Sequence, residues 1–435
     1  MARPTSRLSR SALTSIGTDR KPKRCRVAAA FYIALGILLF SNVSLPVGAP
    51  VSSAVGEILA SLPGVAVVTE VDTFVLTQAR YSDLNIAIPV AFMLLVAVLL
   101  FNGKRVLNLR MNLTFAAFLG FALVAAISAF VYGELVEALK LAIYVLGIAC
   151  FFSFEEVDRK SIAGGLLSMC VVAGVVNAAM TIWQFGIMSG WSFTPSQIRL
   201  YRPDGIFGDS IISALFSNVC IAVLALGKTR LKPPARIVII LLCMLAGVVT
   251  GARTFYYLLA IVGAYLVIAR THDVSIGKKA ALIFVVAMAV LLVASPLGQS
   301  LIDALTLQET VSSRDLKRQL ALQQFCNAPI FGIGTGQYAV YEASLGLPAN
   351  TGLHGTNPHN VYAQVLCENG LVGFVPLMVS LVSAVWLAVR QKNALVAILL
   401  FLYVAIAWSL GILYSVSFTS FFVVFISSLL GALED

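Results

Sequence analysis

The sequence predicts an all-α polytopic membrane protein with about 12 transmembrane helices and one large loop outside the bilayer. Composition is the first observation, because 59% of the residues are hydrophobic and only 11% are charged. The second is that the apolar residues form long uninterrupted blocks, and a helix needs roughly 20 of them to cross a bilayer. The third is that basic residues gather in the short segments between these blocks. The net charge of +10 therefore reflects membrane topology and not nucleic-acid binding.

The chain divides into four parts. Residues 1–26 are basic and rich in Ser and Thr, and we expect a disordered cytoplasmic tail, because the apolar block that follows is too long for a signal peptide. Residues 27–295 carry helices 1–9, residues 296–360 form a periplasmic loop domain, and residues 361–435 carry helices 10–12. The predicted spans are Val27–Leu45, Leu84–Phe101, Leu113–Tyr132, Leu135–Phe154, Ile162–Met188, Ser210–Gly227, Ile237–Gly251, Thr254–Ala269, Ala280–Ser295, Leu371–Val389, Ala394–Gly411 and Ile412–Leu430.

The charge pattern predicts the orientation. With the N-terminal tail inside, the tail and the alternate loops hold 22 of the 30 Lys and Arg residues, as the positive-inside bias requires. Both termini are then cytoplasmic. The basic residues left on the outer side need another reason, and they are Arg80, Arg199, Arg202, Arg253, Arg314, Lys317 and Arg318.

Two outer segments carry local structure. The weakly apolar piece Val51–Val68, in the first outer loop 46–83, is compatible with an interfacial or re-entrant helix, and we assign no function to this loop. In the large loop, Leu316 and Leu320 indicate a helix that ends at Ala328-Pro329. The following glycine run Gly332–Gly336 resembles a dinucleotide fingerprint, but it follows no βαβ unit, so a tight turn returning the loop to the membrane surface is favoured.

The stretch from His354 to Phe374 concentrates polar chemistry beside a membrane helix. It contains two of the three histidines of the chain, a turn signal at Asn357-Pro358 and a helical pattern that begins at Val361. Asn369-Gly370 is a typical helix stop. We expect this histidine-bearing turn to lie at the mouth of a membrane helix and to be an active site.

Three arginines are candidate anion ligands. A charge deep in a bilayer costs roughly 2.5–3.5 kcal/mol, so Arg253 in TGARTF is either a snorkelling side chain at a helix end or, as we favour, a ligand facing a cavity. Arg202 and Arg314 would singly be solvated or headgroup-binding charges. Together with Arg253 they could form a cluster whose guanidinium forks bind phosphate oxygens.

His359 is the candidate base, because an imidazole with an ordinary pKa of about 6.5 can be neutral outside the cytoplasm. The alternative is a structural histidine that caps the helix beginning near Asn360. His354 is more typical of a loop residue, and Glu368 either pairs with an arginine or lines the helix end. The outward acids form no metal-binding pattern and the cysteines no paired spacing, so we expect no metal, disulfide framework or cofactor.

Four motifs together resemble one family. They are RPDGIFGD, GARTF, the segment from Arg314 through PIFGIGTGQY, and PHNVYAQVLCENGLVG, which is the most specific. In order and spacing, over roughly residues 200–375, they are similar to the O-antigen ligase and polysaccharide polymerase superfamily of membrane glycosyltransferases. The chain departs from the family pattern at Gln319 or Leu320, where a tryptophan is usual, and at Asp209-Ser210, where an asparagine is common.

The resemblance implies a lipid-dependent glycosyltransferase fold and a function. A metal-independent O-antigen ligase would move a glycan from an undecaprenyl diphosphate carrier to an acceptor hydroxyl, such as that of lipid A core, at the periplasmic face of the bacterial inner membrane. Arg253, Arg314 and Arg202 would bind the diphosphate, His359 would be the general base, and Asn360 would orient the turn. A surface polysaccharide polymerase is the main alternative. A protein O-oligosaccharyltransferase, a transporter of anions or lipid-linked sugars and a non-catalytic scaffold are further ones.

Overall fold

A computed structural model describes residues 20–40, 44–47, 65–68, 77–81, 87–102, 113–194, 198, 201–227, 229, 231–270, 311–345, 358–411 and 416–434. Helices dominate these ranges. In chain order they are α1 (Arg20–Leu39), α2 (Ala87–Asn102), α3 (Leu113–Val131), α4 (Leu135–Ser153), α5 (Glu156–Ser189), α6 (Ser210–Leu226), α7 (Pro233–Val249), α8 (Arg253–Arg270), α9 (Val311–Asn327), α10 (Gln337–Ser344), α11 (Val361–Arg390), α12 (Ala394–Ser409) and α13 (Val416–Glu434).

The predicted spans that fall within the described residues each overlap one of these helices. The predicted ninth span, Ala280–Ser295, lies outside the described residues. Within the described part of the chain, four helices are long and apolar enough to cross a membrane. They are Leu113–Val131, Leu135–Ser153, Asp158–Ser189 and Val361–Arg390. The prediction of a helical multi-pass membrane protein is confirmed at this level, and the count of about 12 spans stays a prediction.

The first helix begins earlier than predicted. α1 starts at Arg20, inside the segment 1–26 that we expected to be disordered. Once an apolar helix is nucleated, adding residues at its end costs little, and Lys and Arg are good helix formers. The helix therefore extends from the apolar block into the basic segment.

The all-α prediction needs a second correction. Three short strands form an antiparallel sheet in the order β1-β3-β2, with β1 at Ser44–Val47, β2 at Val65–Val68 and β3 at Thr77–Tyr81. The end of the piece Val51–Val68, for which we considered a helix, is thus a strand. Its sequence VAVV explains the difference, because β-branched side chains favour extended backbone.

The helix α3 packs along α11, and this pair positions the candidate site. The Thr114 hydroxyl donates a hydrogen bond of 3.0 Å to Ser383 Oγ, and Gly120 of α3 lies next to Pro376 of α11. Since α11 carries the histidine-bearing turn at its N-terminus, the α3–α11 contact fixes that turn relative to the rest of the bundle.

The helical bundle has two distinct ends. At one end Asn360 Nδ2 donates to the carbonyl oxygen of Trp408 at 2.9 Å, so the turn before α11 lies beside the last turn of α12. At the other end, a Cβ on Gly227, after α6, would lie 3.6 Å from Leu395 near the start of α12. α6 therefore runs antiparallel to α12, and its first residue Ser210 lies at the same end as His359. We call this the site end, and the end with Gly227 the opposite end.

Candidate active site

His359 sits in a tight turn between Pro358 and α11. Its backbone φ is +52°, the left-handed region. Asn360 fixes the next position, because its Oδ1 accepts a hydrogen bond of 2.9 Å from Ala363 N as the N-cap of α11. Its amide nitrogen bonds Trp408 on α12. The side chain of Asn360 thus ties the turn to both helices, and its role in catalysis stays a prediction.

The helix α9 brings positive charge to His359. Arg314 and Lys317 both act electrostatically on the imidazole, and their i, i+3 spacing places them on one face of α9. Lys317 is 2% exposed and forms an ion pair of 3.4 Å with Glu342 of α10. The hydroxyl of Tyr338 donates to the Lys317 carbonyl oxygen at 3.0 Å. α9 and α10 are therefore locked together with the two cations beside His359.

The pKa of His359 is lowered to about 4. Burial is the main cause, since it disfavours the charged imidazolium, and the fields of Arg314 and Lys317 act in the same direction. At neutral pH the imidazole carries no charge. It can therefore accept a proton from a substrate group, whereas an imidazolium could not.

The glycine-rich loop docks onto a break in α11. At Gly370 the backbone has φ +58° and ψ −158°, and the helical hydrogen-bond ladder is interrupted. Ile333 N and Gly334 N each donate at 2.9 Å, to the carbonyl oxygens of Cys367 and Glu368.

The same loop serves the other side of the break. Leu371 N donates to Pro329 O at 2.9 Å, and Val372 N donates to Ile330 O at 3.1 Å. The loop thus satisfies backbone groups that the break leaves without helical partners, as buried polar groups require.

Two glycines permit this contact. A Cβ on Gly332 would overlap the main chain of Glu368 and Asn369, and a Cβ on Gly370 would overlap that of Ile330. The expected tight turn at Gly332–Gly336 is present as a loop with positive φ at Gly332, Gly334 and Gly336. Sequence reasoning did not predict that its partner is the break in α11.

The far side of the loop contacts the end of α3. Thr335 Oγ1 donates to Ala125 O at 3.0 Å, and Thr335 N donates to Ser128 Oγ at 3.0 Å. Gln337 Nε2 donates to Glu134 Oε1 at 3.3 Å. The loop therefore bridges α3 and α11 at the site end of the bundle.

The RPDGIFGD segment forms a second polar cluster at this end. Arg202 Nε donates to Thr250 O at 3.4 Å, just before α8. Burial lowers the pKa of Arg202, while Asp209 and Asp204 oppose the shift, and its guanidinium remains charged because its ordinary value lies far above neutral. Asp209 also caps α6 by accepting from Ile211 N at 2.7 Å and Ile212 N at 2.9 Å.

Buried polar side chains of α5 hold this segment in place. Gln184 accepts from Gly205 N at 2.7 Å and donates to Gly205 O at 3.2 Å. Asn177 Oδ1 accepts from Ile206 N at 3.2 Å. The position of Arg202 is therefore set by hydrogen bonds from inside the bundle and not by a mobile loop alone.

The predicted site residues fall into three groups. Arg314, His359 and Asn360 lie together at the start of α11. Arg202 donates a hydrogen bond to the carbonyl oxygen of Thr250. α8 begins at Arg253, three residues further along the chain, so both positions lie at the site end. Glu368 is buried below the glycine loop. His354 lies outside the described residues.

A cavity of about 780 Å³ opens next to Asn360 between α9, α11 and α12. Its polar lining residues are Asp315, Arg318, Gln319 and Asn360, and the rest of its lining is mostly apolar. Arg318 pairs with Asp315 and lies 5.8 Å from the centre of the Trp408 ring. The apolar wall residues are Leu322, Tyr362, Ala363, Leu366, Phe374, Met378, Val404, Ala405 and Trp408.

Sequence reasoning missed Lys317, Glu342 and Trp408 as parts of this site. Lys317 had a signal, because it is an outer cation that the positive-inside bias disfavours and lies one helical turn after Arg314. Glu342 and Trp408 had none, since they reach the site from separate segments. Among the described residues no cluster of three or more His, Cys, Asp or Glu side chains could hold a metal ion.

Comparison with known protein families adds a direct finding. Residues 237–378 match the family model described as O-antigen ligase. For this part of the chain, the match supports the O-antigen ligase superfamily. The matched segment contains Arg253, Arg314, the glycine-rich loop and the turn of His359, so the recognition from sequence motifs is confirmed.

Members of this O-antigen ligase family are glycosyltransferase-like enzymes. The match supports a place in membrane-bound polysaccharide biosynthesis and leaves donor and acceptor undefined. A search of curated proteins found no match. The chemistry must therefore be argued from the chain's own residues.

Proposed function

We propose that this chain transfers a glycan from an undecaprenyl diphosphate carrier to an acceptor hydroxyl of lipid A core at the periplasmic face of the bacterial inner membrane. A bond forms between the acceptor oxygen and the anomeric carbon. The bond from that carbon to the diphosphate breaks, and the diphosphate leaves with the electron pair. The observation that carries the proposal is the uncharged imidazole of His359 beside Arg314 and Lys317, next to the mouth of an apolar cavity.

His359 acts as the general base in this proposal and takes the proton of the acceptor hydroxyl. Its low pKa keeps the imidazole neutral before substrate arrives. A diphosphate bound between the cations would offset their field, and the pKa of His359 would then rise toward the range in which proton transfer is efficient. Substrate binding would thus increase the basicity of the residue that needs it.

Arg314, Arg253 and Arg202 are the proposed diphosphate ligands. The leaving group develops negative charge as the glycosidic bond breaks, and cations already fixed at that point lower the barrier. Guanidinium groups can do this without a metal, because each offers two parallel hydrogen bonds to phosphate oxygens. The support is placement, since α9, the start of α8 and the RPDGIFGD segment all reach the site end.

Three residues have supporting roles. Asn360 orients the turn through its two side-chain hydrogen bonds. Glu368, buried beneath the glycine-rich loop, supports the local structure, and His354 belongs to the loop that precedes the turn. The apolar walls of the cavity suit the hydrocarbon chain of a lipid-linked donor.

The test uses purified protein with lipid-linked repeat units, with and without lipid A core. We expect glycan to appear on the core and no extension of the repeat units when the core is omitted. Chain growth without the core would contradict the ligase proposal and favour a polymerase.

His359→Gln tests the base. We expect the transfer rate to fall by roughly 10²–10⁴-fold, the usual contribution of a general base, with thermal stability unchanged. His272→Gln is the matched control, because His272 lies on a loop predicted to be cytoplasmic. Full transfer by the His359 variant would contradict the catalytic role and favour a transporter.

A further inference from the structure

A second cavity, of about 680 Å³, lies at the opposite end of the bundle. It is formed by α1, the first half of α5 and the segment between α6 and α7. Tyr32 of α1 reaches across, and its hydroxyl donates to Ile162 O of α5 at 3.1 Å. The lining residues are Tyr32, Lys160, Ser161, Gly164, Gly165, Leu167, Ser168, Val171, Val172, Thr229 and Leu231.

The residues of α5 that line the cavity change from polar to apolar along the helix. Lys160 and Ser161 lie near the start of the helix, whereas Val171 and Val172 lie about 16 Å further along at 1.5 Å per residue. Val172 is 61% exposed on the outer surface of the bundle. The cavity therefore has a polar rim, continues into an apolar groove and opens sideways. This order matches a phospholipid, whose polar headgroup lies above its acyl chains.

Two polar atoms at or beside the rim have no hydrogen-bond partner among the described residues, one on Thr229, which lines the cavity, and one on its neighbour Arg236. Thr229 Oγ1 and Arg236 Nε are both buried, and neither has a partner in the described part of the chain. Arg236 Nη2 donates to the Thr229 carbonyl oxygen at 2.8 Å, so the two groups are adjacent. A buried guanidinium N–H that makes no bond is costly, and an anionic oxygen would satisfy it.

The positive charge of the rim also favours an anionic ligand. Among the described residues that line the cavity, Lys160 carries the only charge, and Arg236 adds a second cation behind Thr229. The segment GKTRLKPPAR, which runs from the end of α6 into the first turn of α7, has four basic and no acidic residues. Basic pockets between membrane helices recognise anionic lipid headgroups.

We infer that this cavity binds an anionic phospholipid, with its phosphate at Lys160, Thr229 and Arg236 and its acyl chains along Leu167, Val171 and Val172. The site is separate from the proposed transferase site, because α6 and α7 lie between Thr229 and the cluster of Arg202 and Thr250. The inference does not depend on the proposed function.

The experiment is native mass spectrometry of the full-length protein in an uncharged detergent, with phosphatidylglycerol or phosphatidylcholine added. We expect retention of phosphatidylglycerol in preference to phosphatidylcholine. Lys160→Ala should weaken phosphatidylglycerol binding about fivefold, which corresponds to the roughly 1 kcal/mol that one basic residue contributes near an anionic lipid. Lys392→Ala, an exposed lysine that lines neither cavity, should have no effect.

A second pair of variants separates occupancy from charge. A Cβ on Gly164 would meet open space, as would one on Gly263 of α8. Gly164→Leu should fill the cavity and exclude the lipid without unfolding the helix. Gly263→Leu adds the same side chain outside the cavity and should leave binding unchanged.

The outcomes distinguish the sources of phosphate. Inorganic phosphate at millimolar concentration should not displace the lipid, because it lacks acyl chains. Displacement by inorganic phosphate would show a free-anion site and overturn the lipid inference. Equal retention of the two lipids, or unchanged binding in both Lys160→Ala and Gly164→Leu, would also overturn it.

Discussion

His359 is a non-glycine residue in the left-handed backbone region. Such conformations cost on the order of 1–3 kcal/mol and persist when the surrounding structure enforces them. The N-cap bond of Asn360 to Ala363 and its bond to Trp408 provide that enforcement. Strain of this kind is concentrated at functional sites, which agrees with the role proposed for the imidazole.

The electrostatic setting of His359 predicts a pH response. Its pKa is lowered, to about 4, so the imidazole stays neutral until the pH falls close to that value. kcat/KM of the wild-type protein should therefore show no loss from His359 protonation between pH 7.5 and about 5.5. Arg314→Gln removes one of the fields that lower the pKa, so the acidic limb should move to higher pH, toward the ordinary value near 6.5.

Arg318→Gln is the matched control for this measurement. Arg318 lies one helical turn after Arg314, and its ion pair is with Asp315. We expect the acidic limb of the kcat/KM profile of Arg318→Gln to coincide with that of the wild type. An Arg314→Gln profile that coincides with the wild type as well would show that Arg314 does not act on His359.

Sequence reasoning reached the residues that carry a local signal. Arg314 was notable as a cation on the disfavoured side, and His359 and Asn360 stood next to a turn signal. Trp408 had no such signal, because its contact with Asn360 joins positions 48 residues apart. Contacts of that range depend on how helices pack, which a single sequence does not encode locally.

At the level of elements, the break in α11 is the feature that joins the loop to the membrane helix. The Asn369-Gly370 pair predicted a helix end followed by a new apolar segment. The structure has that break as a kink at Gly370, and the glycine-rich loop supplies the missing backbone partners. The sequence pattern marked the position, whereas the partner follows from tertiary packing.

Substitution of Gly370 should release the loop. Gly370→Ala places a Cβ against the main chain of Ile330 in a backbone region that only glycine adopts readily, at a cost of about 1–3 kcal/mol. We expect a lower thermal unfolding temperature and faster hydrogen exchange at the amides of Ile333 and Gly334. Transfer activity should fall with them, because α9 and α10 are connected through this loop.

Gly263→Ala serves as the comparison for Gly370→Ala. A Cβ at Gly263 meets open space within a regular helix, where alanine is favoured over glycine by about 1 kcal/mol. Stability should be equal or higher. If both variants behaved alike, the break would not be the element that holds the loop.

The sheet shows where element prediction was limited. In the first outer loop, we considered only an interfacial or re-entrant helix for the piece Val51–Val68. Residues Val65–Val68 form a strand because they pair with β3 in antiparallel register. Pairing partners supply hydrogen bonds that no local pattern indicates.

For the whole molecule, the placement of charge along the chain predicts which end faces which side. The contacts agree with the predicted grouping of the outer segments. Ser128, Thr335 and Asn369 belong to segments predicted to share the outer face, and they are hydrogen-bonded to one another at one end of the bundle. How α3 and α11 pack could not be predicted, because contacts such as the hydrogen bond from Thr114 to Ser383 join positions far apart in the sequence. Absolute orientation stays a prediction.

Cys326 offers a direct test of that orientation. It is exposed at the end of α9, whereas Cys150, Cys170, Cys220, Cys243 and Cys367 are buried. A membrane-impermeant maleimide should label Cys326 in intact spheroplasts if the site end is periplasmic. Cys326→Ser should remove this labelling.

Cys25 provides the opposite control, because it lies in the segment predicted to be cytoplasmic. The impermeant reagent should reach it only after the membrane is permeabilised, and Cys25→Ser should abolish that second signal. Labelling of Cys326 only after permeabilisation would reverse the orientation and place the site in the cytoplasm.

Main-chain atoms make the junction between the glycine-rich loop and α11. Two large side chains of the loop therefore take no part in its hydrogen bonds and are exposed. Ile330 is 58% exposed and Phe331 is 72% exposed, although the carbonyl oxygen of Ile330 is bonded to Val372. Replacing either side chain disturbs no hydrogen bond of the junction. The tip of the loop can therefore change in sequence while the main-chain bonds that attach the loop to α11 are kept.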